Sequence, residues 1–294
     1  MKKEYIKYIF ALLLFGSNGI VASNINLPSM QIVLMRTLIG SILLILIYLI
    51  GGNKFTGFKH KKDLIFIAFS GIAMGGSWIC LYEAYKLTGV GIASLLYYSG
   101  PVIVMALSPF LFKEKLKPVK LIGFAAVICG ILMINGNSIN AINKKGFILG
   151  ILSAIMYAIM VTSNKGAKNI DGKENSTFQL FVSFIAVAIF TMITGNIETN
   201  ITCNNWIWIM ILGIFNTGIG CLLYFSSIGK LPIQTVAVCG YIEPLSAVIL
   251  SAFLLKEKMN TLQIIGAILI IGGALFAEIS EQKFKTEKKK RIKD

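Results

Sequence analysis

The sequence predicts an all-α integral membrane protein of ten transmembrane helices, arranged as two inverted five-helix repeats. Three observations predict it: apolar runs of membrane-spanning length along the whole chain, a lopsided spread of lysine between the loops, and a pattern that recurs 143 residues later.

The apolar runs come first. The 294-residue chain is 56% hydrophobic and only 14% charged, whereas soluble domains sit near 45–50% and about 25%. A helix needs about 20 mostly apolar residues to cross a bilayer. Ten stretches qualify: 5–23, 29–51, 64–85, 90–112, 119–136, 146–163, 177–195, 205–228, 233–255 and 261–279. Lys2 and Lys3 give the first the look of a signal peptide, but its length and its later counterpart mark a retained span.

Lysine sets the orientation. With the N-terminus in the cytoplasm, the cytoplasmic segments carry 22 Lys and Arg and the outer segments 5. Positive residues stay inside, so both termini are expected in the cytoplasm and the number of spans is even. The net charge of +15 lies in short loops and in the basic tail, residues 281–294. That placement suits anionic lipid headgroups and excludes a nucleic-acid partner. The bacterial look of the composition points to the plasma membrane.

Reactive chemistry is sparse. The five cysteines form no C-x-x-C pair, and the single histidine is His60. No zinc, serine-hydrolase or phosphate-cradling motif is present. The chain is expected to be no enzyme and to need no cofactor or metal.

The repeat is the most informative feature. Tyr98-Ser-Gly-Pro101 and Leu111-Phe-Lys-Glu-Lys115 return as Tyr241-Ile-Glu-Pro244 and Leu254-Leu-Lys-Glu-Lys258, offset by 143. Gly123 and Gly130 return as Gly266 and Gly273, and Gly71, Gly76 and Tyr82 as Gly213, Gly218 and Tyr224. The halves are residues 1–140 and 146–280. Five spans per half is odd, so the halves enter the membrane in opposite senses. Such halves can exchange conformations around a site near the midplane.

Ten helices as five plus five, Glu-Pro in the ninth, the two Lys-Glu-Lys boundaries and Phe15-Gly-Ser-Asn18 resemble the EamA-type branch of the drug/metabolite transporter superfamily. The resemblance covers nearly the whole chain. It implies a secondary transporter that exports amino acids or related metabolites. The chain departs from the family pattern with Phe15 where Trp is common, and its first half has Gly100 where the second has Glu243. Efflux of drugs or cationic compounds, and an uncoupled facilitator, stand as alternatives. A small-molecule substrate, membrane lipids and possible proton coupling are the expected partners, with a monomer as the default.

The candidate site follows from intramembrane polarity. Pro101 and Pro244 interrupt the fourth and ninth helices at matching positions, and paired breaks point to a transport site. Glu243 sits in the ninth helix, where a carboxylate costs about 2.5–3.5 kcal/mol. It either exchanges protons, binds an ammonium group, or simply holds a kink. Arg36 lies in the outer half of the second helix and Glu83 in that of the third. They either pair, together bind a zwitterion, or snorkel to the interface. Trp78, Tyr82 and Tyr85 share a helix face and, with Tyr97, Tyr98, Tyr224 and Tyr241, suit an amphipathic cavity. The interfacial aromatic belt is expected to take Tyr5, Tyr8, Trp206 and Trp208. Asn18, Gln179 and Asn216 either line the cavity or bridge helices.

Overall fold

The computed structural model describes residues 2–53, 55–100, 103–104, 118–135, 143–164, 166–167, 169–194, 197–198, 201–228, 239–273 and 275–276. Among them every regular element is a helix. α1 is Lys2–Gly16, α2 Asn18–Ser23, α3 Ser29–Ile50, α4 Lys61–Thr88 and α5 Val90–Tyr97. Then follow α6 (Pro118–Asn135), α7 (Lys144–Asn164), α8 (Gly172–Thr194) and α9 (Cys203–Met210). α9 continues without interruption through a π-helical stretch, Ile211–Ile219, into α10, Gly220–Ile228. α11 is Ile242–Leu254 and α12 Thr261–Gly273.

Six helices among the described residues are long and apolar enough to cross a membrane: Lys3–Ser23, Ser29–Ile50, Lys61–Thr88, Lys144–Asn164, Gly172–Thr194 and Cys203–Tyr224. Shorter apolar helices run over Leu121–Met133, Ile242–Leu254 and Thr261–Gly273. Pro101, the Lys113–Lys115 boundary and the basic tail lie outside the described residues.

The bundle buries polar groups beside its apolar core and turns large apolar side chains outward. Ile50, Phe253, Met192 and Ile193 are 77–84% exposed, while Arg36, Gln31, Thr37 and Asn216 are at most 1% exposed. That inversion suits a hydrocarbon solvent. Buried hydroxyls fold back onto their own helices, as a hydroxyl can do without breaking the backbone ladder. Thr37 donates to the Val33 carbonyl at 2.8 Å and Ser41 to that of Thr37 at 2.6 Å.

Glycine allows the close approaches between helices, since hydrocarbon gives apolar faces little reason to associate. A Cβ on Gly71 would lie 2.9 Å from Val182 Cβ, and one on Gly213 would lie 2.7 Å from Ile39 Cβ. These two contacts are repeat mates. So are Gly130 against the Gly266 carbonyl and Gly273 against that of Gly123, at 2.6 and 3.0 Å from the added Cβ. The repeat seen in the sequence therefore returns as paired contacts between halves.

Three features depart from uniform helices. The first predicted span is broken at Ser17, whose hydroxyl donates to the Leu14 carbonyl at 2.8 Å. The fourth turns at Tyr98–Ser99 and the ninth at Tyr241, at matching repeat positions just ahead of Pro101 and Pro244. The eighth widens into the π-helical stretch. Tyr8, expected in the interfacial belt, is instead 2% exposed. Its ring packs 5.5 Å from that of Tyr224, because the two face each other where α1 crosses α10.

Candidate functional site

A cavity of about 200 Å³ lies at the centre of the bundle. α2 brings Asn18 to it, α3 Arg36, α4 Trp78, and the turn after α5 Tyr98; Glu243 reaches it from α11. Tyr97, Tyr157, Asn164, Gln179 and Tyr224 complete its polar and aromatic wall.

Arg36 is the largest fully buried side chain among the described residues. A guanidinium held out of water needs partners. Its Nε donates to Thr217 Oγ1 at 3.0 Å and an Nη donates to the Tyr82 hydroxyl. Its Cζ lies 4.3 Å from the Trp78 ring centroid and 5.2 Å from that of Tyr82, within the range of cation–π attraction. Of the alternatives for Arg36, neither a pair with Glu83 nor snorkelling to the interface is seen: these partners hold Arg36 in the interior.

The π-helical stretch explains why Thr217 is in place. Its hydroxyl donates to the Leu212 carbonyl, five residues back, at 2.8 Å while accepting from Arg36. The wider turn also turns Asn216 inward, where its amide donates to the Leu14 carbonyl at 2.6 Å and to Ser17 Oγ at 2.9 Å. Asn216 thus holds the break in the first span, which places Asn18 on the cavity. Asn18 Oδ1 is buried and has no hydrogen-bond partner.

Glu243 stands at the start of α11, beside the Tyr98 hydroxyl and within electrostatic reach of Arg36. The two ionic groups do not close an ion pair; among the described residues Lys7–Glu4 is the pair that does, at 3.2 Å. The cavity therefore holds a cation and a carboxyl with space between them.

Most sequence candidates converge here. Arg36, Trp78, Tyr97, Tyr98, Asn18 and Glu243 line the cavity. Tyr82 holds Arg36 without lining the cavity, and it borders a second pocket of about 510 Å³ shared with Tyr85, Lys86 and Glu257. The Arg36–Tyr82 bond thus lies between the two spaces. Tyr241 packs elsewhere, against the cluster of Leu95, Val127 and Ile270, because the turn that contains it faces the neighbouring repeat. Pro244 is buried in the first turn of α11.

Two wall residues carried no sequence signal of their own. Tyr157 and Asn164 sit in an otherwise ordinary apolar helix. Asn164 donates to Gln179 Oε1 at 2.7 Å and to Asn175 Oδ1 at 3.0 Å. A polar residue late in a membrane helix was the available hint. The π-helical stretch had a faint one, the glycines at 213, 218 and 220.

Known proteins agree with this architecture. The model of the EamA-like transporter family matches twice, over residues 2–136 and 144–278. An uncharacterized transporter of Bacillus subtilis, YxxF, is 26% identical over 281 residues, covering 94% of this chain and 90% of that protein. The threonine/homoserine exporter RhtA of Escherichia coli is 20% identical over 254 residues, covering 85% and 81%. A solved crystal structure superimposes with a TM-score of 0.67 at 18% identity, covering 94% of this chain and 97% of that one. The two matches to the family model together span nearly the whole chain. The protein belongs to the EamA-like transporter family and is a membrane-spanning transporter of a small molecule, not an enzyme.

Proposed function

We propose that the protein exports small zwitterionic amino acids across a bacterial plasma membrane by alternating access. Ten spans in two inverted repeats, with both termini in the cytoplasm, form the path. The supporting observation is the cavity's chemistry: Arg36 and Glu243 unpaired with each other, and an unpartnered Asn18 carbonyl oxygen nearby. A guanidinium takes a carboxylate through paired hydrogen bonds. Glu243 and Asn18 Oδ1 both accept from an ammonium group. The aromatic wall of Trp78, Tyr97 and Tyr157 receives a short side chain.

Arg36 in the same wall disfavours a purely cationic cargo, since a like charge would be buried beside it. The name of the Escherichia coli relative points to the same substrate class. Proteoliposome counterflow tests the reading. Liposomes loaded with unlabelled L-threonine are expected to accumulate labelled L-threonine or another neutral amino acid. Accumulation of a cationic dye with no response to any amino acid would overturn it.

A further inference from the structure

Hydrogen bonds between the two repeats occur in symmetric pairs at both ends of α3. At the end nearest its C-terminus, Glu174 at the start of α8 accepts from Thr56 N at 2.6 Å, Thr56 Oγ1 at 2.7 Å and Gly57 N at 2.7 Å. The residue 143 earlier is Gln31, at the start of α3. Gln31 donates to the Glu198 carbonyl at 2.9 Å and accepts from its N–H at 3.0 Å. Each thus clasps the loop of the opposite half.

A second pair obeys the same rule. Asp63 at the start of α4 accepts from Asn169 N at 2.9 Å. Its repeat mate Asn205, in α9, accepts from Asn26 N at 3.0 Å and donates to the Asn26 carbonyl at 3.4 Å. Asn26 is in turn the mate of Asn169, 143 residues away. All four clasping side chains are at most 6% exposed. Between the clasps the same helices touch through glycine. A Cβ on Gly40 would meet Thr217 at 2.7 Å, and one on Gly75 would meet Ser183 Oγ at 3.0 Å, again repeat mates.

So α3 is fastened at both its ends and in the middle, and α4 at its start and in the middle, to α8, the eighth span and the loops that flank them. α3 has 22 residues, so its two ends stand about 33 Å apart. Rocking one half against the other as a rigid body would break one set of clasps in every half-cycle. Each breakage would expose buried polar groups, and unmade buried bonds are costly. Among the described residues the clasp on α5 runs to the segment after α11 and not to these helices, since Glu257 accepts from Val90 N at 2.7 Å and Gly91 N at 2.9 Å, and Asn216 ties the first span to the eighth at its break. The first span breaks at Ser17, and α5 and α11 adjoin turns at Tyr98–Ser99 and Tyr241. These breaks adjoin Asn18, Tyr98 and Glu243, three groups of the cavity.

We propose that α3, α4, α8 and the helix from Cys203 to Ile228 form a stationary frame. Access to the cavity then changes by bending of the first span, α5 and α11 at their breaks, not by rocking of whole repeats. This rests on the alternating-access reading but not on the identity of the substrate.

Electron–electron distance measurements in lipid nanodiscs test it, on protein whose native cysteines are replaced. Ile50→Cys with Ile193→Cys carries spin labels on two frame helices, and Ile50→Cys with Phe253→Cys on a frame helix and α11. All three positions are at least 77% exposed, so the labels leave packing intact. The frame pair is expected to keep one distance with and without saturating L-threonine. The α11 pair is expected to show a second distance displaced by about 5 Å or more. A frame pair that splits or shifts overturns the proposal, and so does an α11 pair that stays single in every condition. An α11 pair already split without ligand but indifferent to L-threonine upholds the frame and counts against the amino-acid reading alone.

Discussion

Arg36 and Gln179 occupy equivalent places in the two repeats and line the same cavity, yet one is a cation and the other a neutral amide. Glu243 and Gly100 form a second such pair. The difference teaches how an internally duplicated protein acquires a polar cavity. Matched glycines and clasps build the scaffold twice, and the ionic groups come from positions where the two copies diverge. A symmetric cavity would present like charges to each other. This one presents opposite charges across a space, which is the pattern of a zwitterion.

Restoring the symmetry at Gly100 is expected to have the largest effect. A Cβ there would lie 2.6 Å from the Tyr157 ring and 3.1 Å from the Ala154 carbonyl. Gly100→Glu therefore combines overpacking, about 1–3 kcal/mol, with a second membrane carboxylate, about 2.5–3.5 kcal/mol. Little folded protein is expected by fluorescence-detected size exclusion. Gly100→Ala, with the overpacking alone, is expected to fold with a lowered Tm. If the glutamate variant folds as well as the parent, steric exclusion does not explain the asymmetry.

Arg36→Gln makes the two halves alike from the other side. The amide of Gln179 shows that this side chain fits the repeat position, so the fold is expected to survive. The loss of a charged hydrogen-bonding partner, about 1.5–3 kcal/mol, is expected to weaken amino-acid binding roughly tenfold or more. A ligand titration followed by thermal shift reads this directly. Gln179→Leu sharpens the comparison at the weak end. It removes the bond from Asn164 and the 3.4 Å contact with Met74 Sδ, and membrane hydrogen bonds of this kind average about 0.6 kcal/mol. A loss of affinity below about threefold is expected. Equal losses in the two variants would mean that the charge of Arg36 carries no special weight.

Much of this was legible in the residues. The repeat is visible because the glycines that let the halves touch cannot be exchanged for larger residues without moving a backbone. Arg36 and Glu243 stand out because charge in an apolar run needs a reason. Pairing was harder to read. Depth in the membrane brings Glu83 near Arg36, whereas its partners are Tyr82 and Thr217. The latter is presented by a π-helical turn that leaves no periodic trace. Asn18 was identifiable as polar, but its exposure to the cavity depends on the break at Ser17, which Asn216 holds from nearly two hundred residues away. Tyr8 and Tyr241 show the opposite failure, since an aromatic residue in a membrane helix reads alike at an interface, in a core or on a cavity. The clasps were silent in sequence because Asp63 with Asn205, and Glu174 with Gln31, share geometry but not residue type.

The zwitterion claim is tested by three ligands that carry both charges or lack one of them. L-threonine, its amino alcohol and its N-acetyl derivative are titrated against the parent, Arg36→Gln and Glu243→Gln, with thermal shift as the readout. The parent is expected to prefer the amino acid to both analogues. Arg36→Gln should lose its preference over the amino alcohol, and Glu243→Gln its preference over the N-acetyl derivative. Preferences that are absent in the parent, or unchanged in both variants, would contradict it.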